Sequence, residues 1–317
     1  MTLAYTESCP VSYERPSARF LADAAVAALV VEARLTPKPG LVDRRGPGAH
    51  EDMNLGMLIR SAHSLGPTFA EIASVAFQAR EDCALRKTLS ELGREGERVM
   101  LQTTGGVNTH RGSIWTLGLL CAGAAMIAEG KWLAATVCAK AARVARLPDS
   151  FILPGQSNGQ RAHGDYGALG ARGEAEDEFP HLLQVGLPML QRSVSEGLCT
   201  EHARLNVLVA IMAVLDDTCL LHRGGMRALT AAKRGAKKIL NCGGASTKKG
   251  SKALLELDQK LLRLNASPGG SADLLAAVIF LDFVENAVKP QEAPQWKPCT
   301  SNFRPGQSNS RVRRTLD

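Results

Sequence analysis

Residues Ser113–Ala128 read SIWTLGLLCAGAAMIA and contain no charged side chain. The stretch is apolar on nearly every side of a helical wheel, which predicts a helix that is buried all round. Two other features of the chain favour helices. Aromatic residues make up only 4% of it, and alanine and leucine supply much of the 45% that is apolar. This composition favours packed helices over sheets.

Helical periodicity continues on both sides of that stretch, whereas no segment of useful length alternates as a strand does. Further helices are predicted over Arg19–Leu35, Met53–Ser64, Pro67–Ala84, Leu85–Gln102, Trp132–Arg146, Pro180–Glu196, Thr200–His222, Met226–Asn241, Lys248–Leu264 and Ser271–Ala287. The prediction is an all-α fold, with the helices packed into a single compact domain.

The two ends of the chain lack this pattern. Residues 1–18 are predicted to be a flexible N-terminus, 19–288 an all-helical catalytic domain, and 289–317 a basic, disordered tail. The first residues contain no signal-peptide pattern, and no run is apolar enough to span a bilayer. The eight cysteines form no CxxC pair. We therefore expect free thiols, a cytoplasmic location and no membrane association.

The formal net charge of +7 and the isoelectric point of about 9.1 predict a surface that attracts anions. Nucleic acid, phosphorylated ligands and acidic membranes all fit this property. Much of the excess charge lies in the predicted tail, so nucleic acid is not expected to be the partner. Oligomeric state is not readable from the sequence.

Five polar, glycine-rich stretches fall at the ends of predicted helices. They are Thr36–Met53, Thr103–Gly112, His163–Glu174, Asp216–Gly225 and Ser267–Ala276. Glycine lets the backbone approach a ligand, and a helix N-terminus offers free N–H groups to anions. One interpretation is a shared pocket built from helix ends; the other is a set of ordinary caps and turns. The long segment Leu147–Glu178 is also predicted to be a functional or disordered loop.

Several standard sites are absent from the sequence. It has no GxxxxGK[ST] phosphate loop, no GxGxxG after a strand, no HExxH and no GxSxG. P-loop, Rossmann, zinc and α/β-hydrolase chemistry are therefore not expected. A site rich in carboxylates and basic groups remains, which suits Mg²⁺ and polyphosphate.

Five of these segments carry a family resemblance. They read TPKPGLVDRRGPGAHEDM, GGVNTHRG, GARGEA, DDTCLLHRGG and SPGGSADLLA. In this order, over Leu21–Val288, they resemble the signature blocks of the triphosphoribosyl-dephospho-coenzyme A synthase family. The resemblance implies a helical fold and a transfer reaction. ATP and 3′-dephospho-CoA give 2′-(5″-triphosphoribosyl)-3′-dephospho-CoA and adenine.

The family's product is a prosthetic-group precursor for the acyl carrier subunits of malonate decarboxylase and citrate lyase. The chain resembles a stand-alone synthase and is rich in Ala and Arg, which favours malonate decarboxylase. A downstream transferase that loads the carrier protein is a candidate partner. The implied change from β to α configuration at C1′ favours one inverting displacement. That route requires a base at the 2′-hydroxyl and a donor at the leaving adenine.

Three residues are the catalytic candidates. Neighbouring positions on a helix point about 100° apart, so only one of Asp216 and Asp217 would face a site. We predict Asp217, as base or metal ligand, against a surface role. Glu174 is a second candidate base, against a solvated charge. His110 would donate to adenine or phosphate, against a structural role.

The remaining candidates surround the substrates. The residues that would match phosphate charge are Lys38, Arg44, Arg111 and Arg223, and His50 and Asn108 would add polar contacts. Asp43, Asp52 and Asp217 would hold Mg²⁺; alternatively, Asp43 and Asp52 would orient the His50 imidazole that they flank. In this hypothesis the glycines of Thr36–Met53 let the loop fold over the polyphosphate of ATP.

Two other functions stay open at this point. The same acidic residues with water as the nucleophile would make a Mg²⁺-dependent nucleotide N-glycosyl hydrolase. A non-catalytic nucleotide-binding assembly factor for a carrier protein is the other alternative.

Overall fold

A computed structural model describes residues 15–128, 132–149 and 164–287. Their helices are α1 (Ala18–Arg34), α2 (Leu55–Ser64), α3 (Gly66–Ala76), α4 (Cys83–Thr104), α5 (Arg111–Ala125), α6 (Ala134–Ala145), α7 (Gly170–Glu176), α8 (Leu187–Ser195), α9 (Thr200–Val214), α10 (Thr218–Asn241), α11 (Lys248–Arg263) and α12 (Gly269–Ala287). A π-helical turn, His181–Gly186, leads into α8. These described ranges contain no β-strand, and the all-α, single-domain prediction is confirmed.

Helices α5, α9 and α12 form the centre of the domain. Twelve of the fifteen residues of α5 are buried, so the predicted all-round burial is confirmed. Helices α1, α3, α6 and α12 pack around α5, and α9 packs against α8, α10 and α12. Because these three helices are mostly buried, their ends are where polar side chains of the core can meet a ligand.

The start of the domain is tied down before the first helix. Ser17 caps α1 by accepting a hydrogen bond from the Phe20 amide at 3.1 Å. Arg15 donates to the Phe77 carbonyl at 2.7 Å, and its guanidinium stacks over the Phe77 ring. Residues 15–17, within the predicted flexible N-terminus, are thus packed against the domain. Residues 1–14 and the predicted tail 289–317 lie outside the described residues.

The predicted helix Thr200–His222 is wrong, because the chain breaks within it. Helix α9 ends at Val214, Leu215 is extended, and α10 starts at Thr218 with a bend of 62° between the two helices. Asp217 is the N-cap of α10. Aspartate prefers this cap position to a helix interior because its side chain can accept the free backbone N–H groups.

Other boundaries differ more modestly from the predictions. The predicted helix Pro67–Ala84 is shorter in the structure: α3 ends at Ala76, and a separate helix, capped by Asp82, starts at Cys83. Residues 170–176 of the predicted loop Leu147–Glu178 are helical, while 150–163 lie outside the described residues.

The cysteines confirm the prediction of free thiols only in part. Cys121 and Cys138 are free and buried, and Cys83 is free and exposed. Cys199 departs from it, because its sulfur is disulfide-bonded.

Within the described residues, no single helix has the length and apolarity to cross a membrane. The bent pair α9–α10 passes that test by length and composition only.

Candidate active site

The starts of α5, α10 and α12 meet beside the end of α1 and the loop that follows it. We call the polar side chains gathered there the central cluster: Glu32, Lys38, His110, Ser113, Asp217 and Asp273. Direct hydrogen bonds link α5 to α12 and α10 to α12 within it. Three helix N-termini at one place give a concentration of free N–H groups and positive dipole ends.

The loop of residues 36–53 is braced from inside by two buried carboxylates. Asp43 accepts hydrogen bonds from the Lys38 amide at 2.8 Å and from the backbone and guanidinium of Arg45. Asp258 of α11 accepts from the other side of the Arg45 guanidinium, at 2.8 Å, and from the Gly40 amide at 2.9 Å. With its oxygens occupied in this way, Asp43 stabilises the loop.

Glycines in this loop meet protein rather than open space. Gly40 has φ +70°, and an added Cβ would lie 2.6 Å from the Ala266 carbonyl oxygen. Gly48 has φ +60°, and its Cβ would overlap the Leu41 carbonyl. Both positions therefore require glycine for the loop's own packing. Closure over a polyphosphate stays a prediction.

Lys38 is buried, with 1% of its surface exposed. Its ammonium group donates to a Glu32 carboxylate oxygen at 2.5 Å and to the Glu32 carbonyl at 2.8 Å. A buried charge needs such a partner, since desolvation is otherwise costly. The pairing places Lys38 inside the central cluster rather than on the surface, and its predicted contact with phosphate stays a prediction.

Asp217 is also buried and has its oxygens occupied. Its Oδ1 accepts from the amides of Cys219, Leu220 and Gly270, at 2.9, 3.3 and 3.3 Å. Its Oδ2 accepts from the amide and hydroxyl of Ser271, at 2.7 and 2.8 Å. Burial raises the pKa of Asp217, and these hydrogen bonds oppose the rise. One carboxylate thus caps both α10 and α12.

Asp273, the fifth residue of α12, is not among the site residues predicted from the sequence. It is half-buried and accepts a hydrogen bond from the Ser113 hydroxyl. An added Cβ at Gly112 would overlap Asp273 Oδ2, so the absence of a side chain there makes room for the carboxylate. Burial raises the pKa of Asp273 to about 7; Ser113 opposes the rise, and the charges of Glu32 and Asp217 add to it.

A signal for Asp273 was present in the sequence. It is the one charged residue in the stretch SPGGSADLLA, and eight uncharged residues, Leu274–Leu281, follow it directly. A titratable side chain in such surroundings is a candidate for a shifted pKa and hence for function.

His110 is the N-cap residue of α5 and is buried. Its Nδ1 lies 2.9 Å from the Ser61 hydroxyl, which also bonds to Thr109. Within the part of the chain that the structure describes, Nε2 makes no hydrogen bond. Burial lowers the pKa of His110 to about 4, and the charge of Lys38 adds to the effect. The imidazole is therefore neutral at pH 7, with one ring nitrogen still to be used.

Glu174 belongs to a different group of side chains. Its two oxygens accept from the amide and the ring Nδ1 of His181, at 2.9 and 2.6 Å. This pair joins α7 to the π-helical turn, and no contact links it to Asp217 or Asp273. Glu174 as a base stays a prediction.

Two more predicted residues hold the loop to α10. Arg223 donates to the Ala49 carbonyl at 2.6 Å, to the His50 Nδ1 at 3.0 Å and to Asn265. Burial and the Arg223 charge lower the pKa of His50, whereas Asp52 raises it. Asp52 is exposed and lies 3.6 Å from that imidazole. These contacts give Arg223 and His50 a bracing role.

The other predicted phosphate ligands differ in whether their side chains already have a partner within the protein. Arg111 is paired with Glu97 at 2.9 Å, and the Asn108 side chain accepts from the Arg111 amide at 3.1 Å. Arg44 is exposed, and among the described residues its guanidinium has no partner. Of these three, Arg44 is free to bind an anion without breaking an existing contact.

The predicted Mg²⁺ ligands do not fit a metal held by the protein. Asp43 and Asp217 have their oxygens occupied by protein donors, and Asp52 lies exposed beside His50. Across the described ranges, no three Asp, Glu, His or Cys side chains converge as metal ligands. No step of the chemistry below is therefore assigned to a protein-held metal ion.

Comparison with known proteins identifies the family. The family model described as CitG: ATP:dephospho-CoA triphosphoribosyl transferase matches residues 18–292. A probable 2-(5''-triphosphoribosyl)-3'-dephosphocoenzyme-A synthase of Pseudomonas paraeruginosa (strain DSM 24068 / PA7) is 54% identical over 263 residues, which cover 83% of this chain and 89% of that protein. The 2-(5''-triphosphoribosyl)-3'-dephosphocoenzyme-A synthase of Klebsiella pneumoniae is 50% identical over 265 residues, which cover 84% and 94%. No solved structure matches the chain. The chain therefore belongs to the CitG family of ATP:dephospho-CoA triphosphoribosyl transferases.

Proposed function

We propose that this protein transfers the 5-triphosphoribosyl group of ATP to the 2′-hydroxyl of 3′-dephospho-CoA and releases adenine. The relatives' names give the product, and family membership gives the two substrates. The observation that carries the mechanism is the Asp273 carboxylate, which lies where three helix N-termini meet and has few protein donors.

Asp273 is the base in this proposal. The 2′-oxygen of dephospho-CoA bonds to C1′ of ATP as the C1′–N9 bond breaks. The electron pair of the C1′–N9 bond leaves with adenine. The hydroxyl proton passes to Asp273, which then returns it to solvent, while the departing adenine anion takes up one proton from solvent, so that neutral adenine is released. A base whose pKa lies near the working pH is ionised often enough to act and basic enough to accept a proton. The pKa of Asp273, raised by burial to about 7, meets this condition.

His110 stabilises the leaving group, adenine. In this proposal the Ser61 hydroxyl, 2.9 Å from Nδ1, donates to that nitrogen, so the neutral imidazole carries its proton on Nε2. A hydrogen bond from Nε2 to a ring nitrogen of adenine stabilises the charge that develops as the glycosidic bond breaks. The ammonium group of Lys38, whose charge reaches His110, adds to this stabilisation.

Phosphate binding completes the proposal. Arg44, exposed and without an ion-pair partner among the described residues, is the predicted ligand best placed for the triphosphate. Arg111 and Asn108 lie at the start of α5, so a phosphate there would also meet that helix's free N–H groups.

The test of function is product analysis. The protein is incubated with ATP, Mg²⁺ and 3′-dephospho-CoA, and the products are separated and weighed by mass spectrometry. We expect free adenine and an adduct of dephospho-CoA with triphosphoribose, in equal amounts. Free ribose triphosphate without the adduct would indicate the hydrolase alternative. Absence of adenine release would indicate the assembly factor.

We further propose that the product serves malonate decarboxylase rather than citrate lyase, and that the protein works in the cytoplasm. The Ala- and Arg-rich composition supports the first point. The free thiols of Cys83, Cys121 and Cys138 support the second, since free cysteines persist in a reducing compartment. The purified product, with a carrier-protein transferase, is offered to the acyl carrier subunit of each enzyme. Preferential loading of the citrate lyase subunit would contradict the proposed pathway.

A further inference from the structure

The hairpin of α10 and α11 holds an unusual share of the positive charge. Residues 218–263 contain eleven Lys and Arg side chains but only two acids, Glu256 and Asp258, whereas the whole chain has a formal charge of +7. The hairpin is thus more positive than the chain as a whole. A local excess of this kind draws anions to one face of a protein.

A groove opens on this hairpin. Its volume is about 580 Å³, and it is lined by Met226, Arg227, Thr230, Ala231, Arg234 and Lys260. Arg227 and Arg234 lie two turns apart on α10 and so share one face, and Lys260 approaches from α11. Three positive side chains therefore converge on one concave surface.

The three cations of the groove have no acidic partners within the part of the chain that the structure describes. Neighbouring lysines do: Lys233 pairs with Asp216 and Lys238 with Glu256, each at 2.6 Å. The acids of this region thus neutralise residues outside the groove. Like charges kept close together without counter-charges favour an anionic ligand.

The groove lies close to the loop of residues 36–53. Arg223, one turn before Arg227, donates to the Ala49 carbonyl of that loop. Next to Lys260, Leu261 packs against Gly40 of the same loop. Arg227 is ten residues beyond Asp217, which corresponds to roughly 15 Å of chain at the helical rise of 1.5 Å per residue. An elongated ligand could therefore reach from the groove to the central cluster.

We propose that this groove binds the polyphosphate group of a substrate. The inference rests on the proposed function, in which ATP carries a triphosphate and dephospho-CoA a diphosphate. Phosphate oxygens accept several charge-assisted hydrogen bonds at once, and two arginines with a lysine supply such donors. The Thr230 hydroxyl, between the arginines on α10, adds a neutral donor. Helix α10 is kinked at Gly225, where φ is +58°. The groove residues of α10 follow this kink, whereas the helix start at Asp217 precedes it.

The experiment compares two triple variants that lose the same charge. The groove variant is Arg227→Gln/Arg234→Gln/Lys260→Gln. The control is Lys237→Gln/Lys249→Gln/Lys252→Gln, which removes three exposed lysines from the same two helices outside the groove. Because all six side chains are exposed, both variants should fold, and circular dichroism and thermal melting check this.

Inorganic tripolyphosphate is the first probe, with its Kd measured by calorimetry. We expect the groove variant to bind it on the order of tenfold more weakly than the wild type, as fits three exposed charges, and the control to bind as the wild type does. Equal weakening in both variants would indicate general attraction by net charge and would overturn the site. Unchanged binding in the groove variant would overturn it too.

The KM values for ATP and for dephospho-CoA then identify the source of the phosphate. A rise for ATP alone assigns the groove to the triphosphate, and a rise for dephospho-CoA alone assigns it to the diphosphate; kcat should stay unchanged in either case. If the wild type binds tripolyphosphate at the groove but forms no adduct, the proposed function fails and the anion site stands. If the adduct forms and neither KM rises, the substrate site fails and the function stands.

Discussion

The central cluster contains one aspartate from each of two helices, Asp217 at the N-cap of α10 and Asp273 in the second turn of α12, and the protein surrounds the two carboxylates very differently. Asp217 accepts hydrogen bonds from both helix starts. Asp273 accepts from Ser113, and the charges of Glu32 and Asp217 work against its ionisation. A carboxylate whose lone pairs are filled by protein donors, as in Asp217, is fixed in place as a cap. A carboxylate that keeps spare lone pairs, and whose ionisation is opposed by nearby negative charges, can exchange a proton. Burial alone therefore does not separate a structural acid from a catalytic one, whereas its hydrogen bonds do.

The largest expected effect is on the rate of Asp273→Asn. Asparagine keeps the shape of the side chain but cannot accept the hydroxyl proton, so kcat should fall by roughly 10²- to 10⁴-fold. The KM for ATP should change little, because the contact matters mainly in the transition state. Adenine release, followed by chromatography, gives both values. A kcat within twofold of the wild type would exclude Asp273 as the base.

Stability supplies the control for this variant. The pKa of Asp273 in the folded protein, about 7, lies above the ordinary value of about 4 for an unfolded chain. The contribution of this group to stability is therefore full below about pH 4 and is lost as the pH rises through 7. At pH 8 the Asn variant should be at least as stable as the wild type, and chemical unfolding measures this. Marked destabilisation at pH 8 would instead indicate a structural role for the carboxylate.

Asp217→Asn, unlike Asp273→Asn, should lower the stability of the fold. Its amide group would face backbone donors that now bond to a carboxylate oxygen, so the free energy of unfolding should drop by about 2–3 kcal/mol. Asp216→Asn is the matched control. Asp216 is exposed and paired with Lys233, and losing such a surface pair costs about 1 kcal/mol or less. Urea unfolding compares the three proteins. Equal stability of Asp217→Asn and the wild type would contradict the capping role.

Arg44→Gln should have the smallest effect of these variants. Its exposed guanidinium would contact phosphate in water, where one charge pair contributes about 0.2–1 kcal/mol, so the KM for ATP should rise about two- to fivefold. The rise should shrink as salt is added, since exposed charges are screened. Steady-state kinetics at two ionic strengths measure both. An unchanged KM at low salt would remove Arg44 from the triphosphate site.

The helices could be predicted from sequence because their apolar periodicity is a local property. The break between α9 and α10 was missed since that periodicity runs on through Leu215 and Thr218. The signal against a continuous helix was also local: Asp217 stands directly before a helical run, where a capping residue belongs. The choice of Asp217 over Asp216 as the inward-facing residue agrees with their burial, although the reason lies in the cap rather than in a helical face.

The site was harder to predict because its contacts are not local. Lys38 looks like an exposed cation in a glycine-rich loop, and nothing near it in sequence indicates that the loop turns back to place it on Glu32 of α1. Asp273 becomes notable only when α5 brings Gly112 and Ser113 against it. Residue types in the glycine-rich stretches directed attention to the ends of helices, but folding decides which carboxylates there keep free lone pairs.

The most direct test of Asp273 as the base is the pH dependence of kcat/KM for adenine release, measured on the wild type and on Asp273→Asn. The wild-type kcat/KM should rise about tenfold per pH unit below about pH 7 and level off above it, because Asp273 must be ionised to accept the proton. The low residual activity of the Asn variant should lack this rise. A variant that keeps both the rate and the rise near pH 7 would show that another group carries the proton.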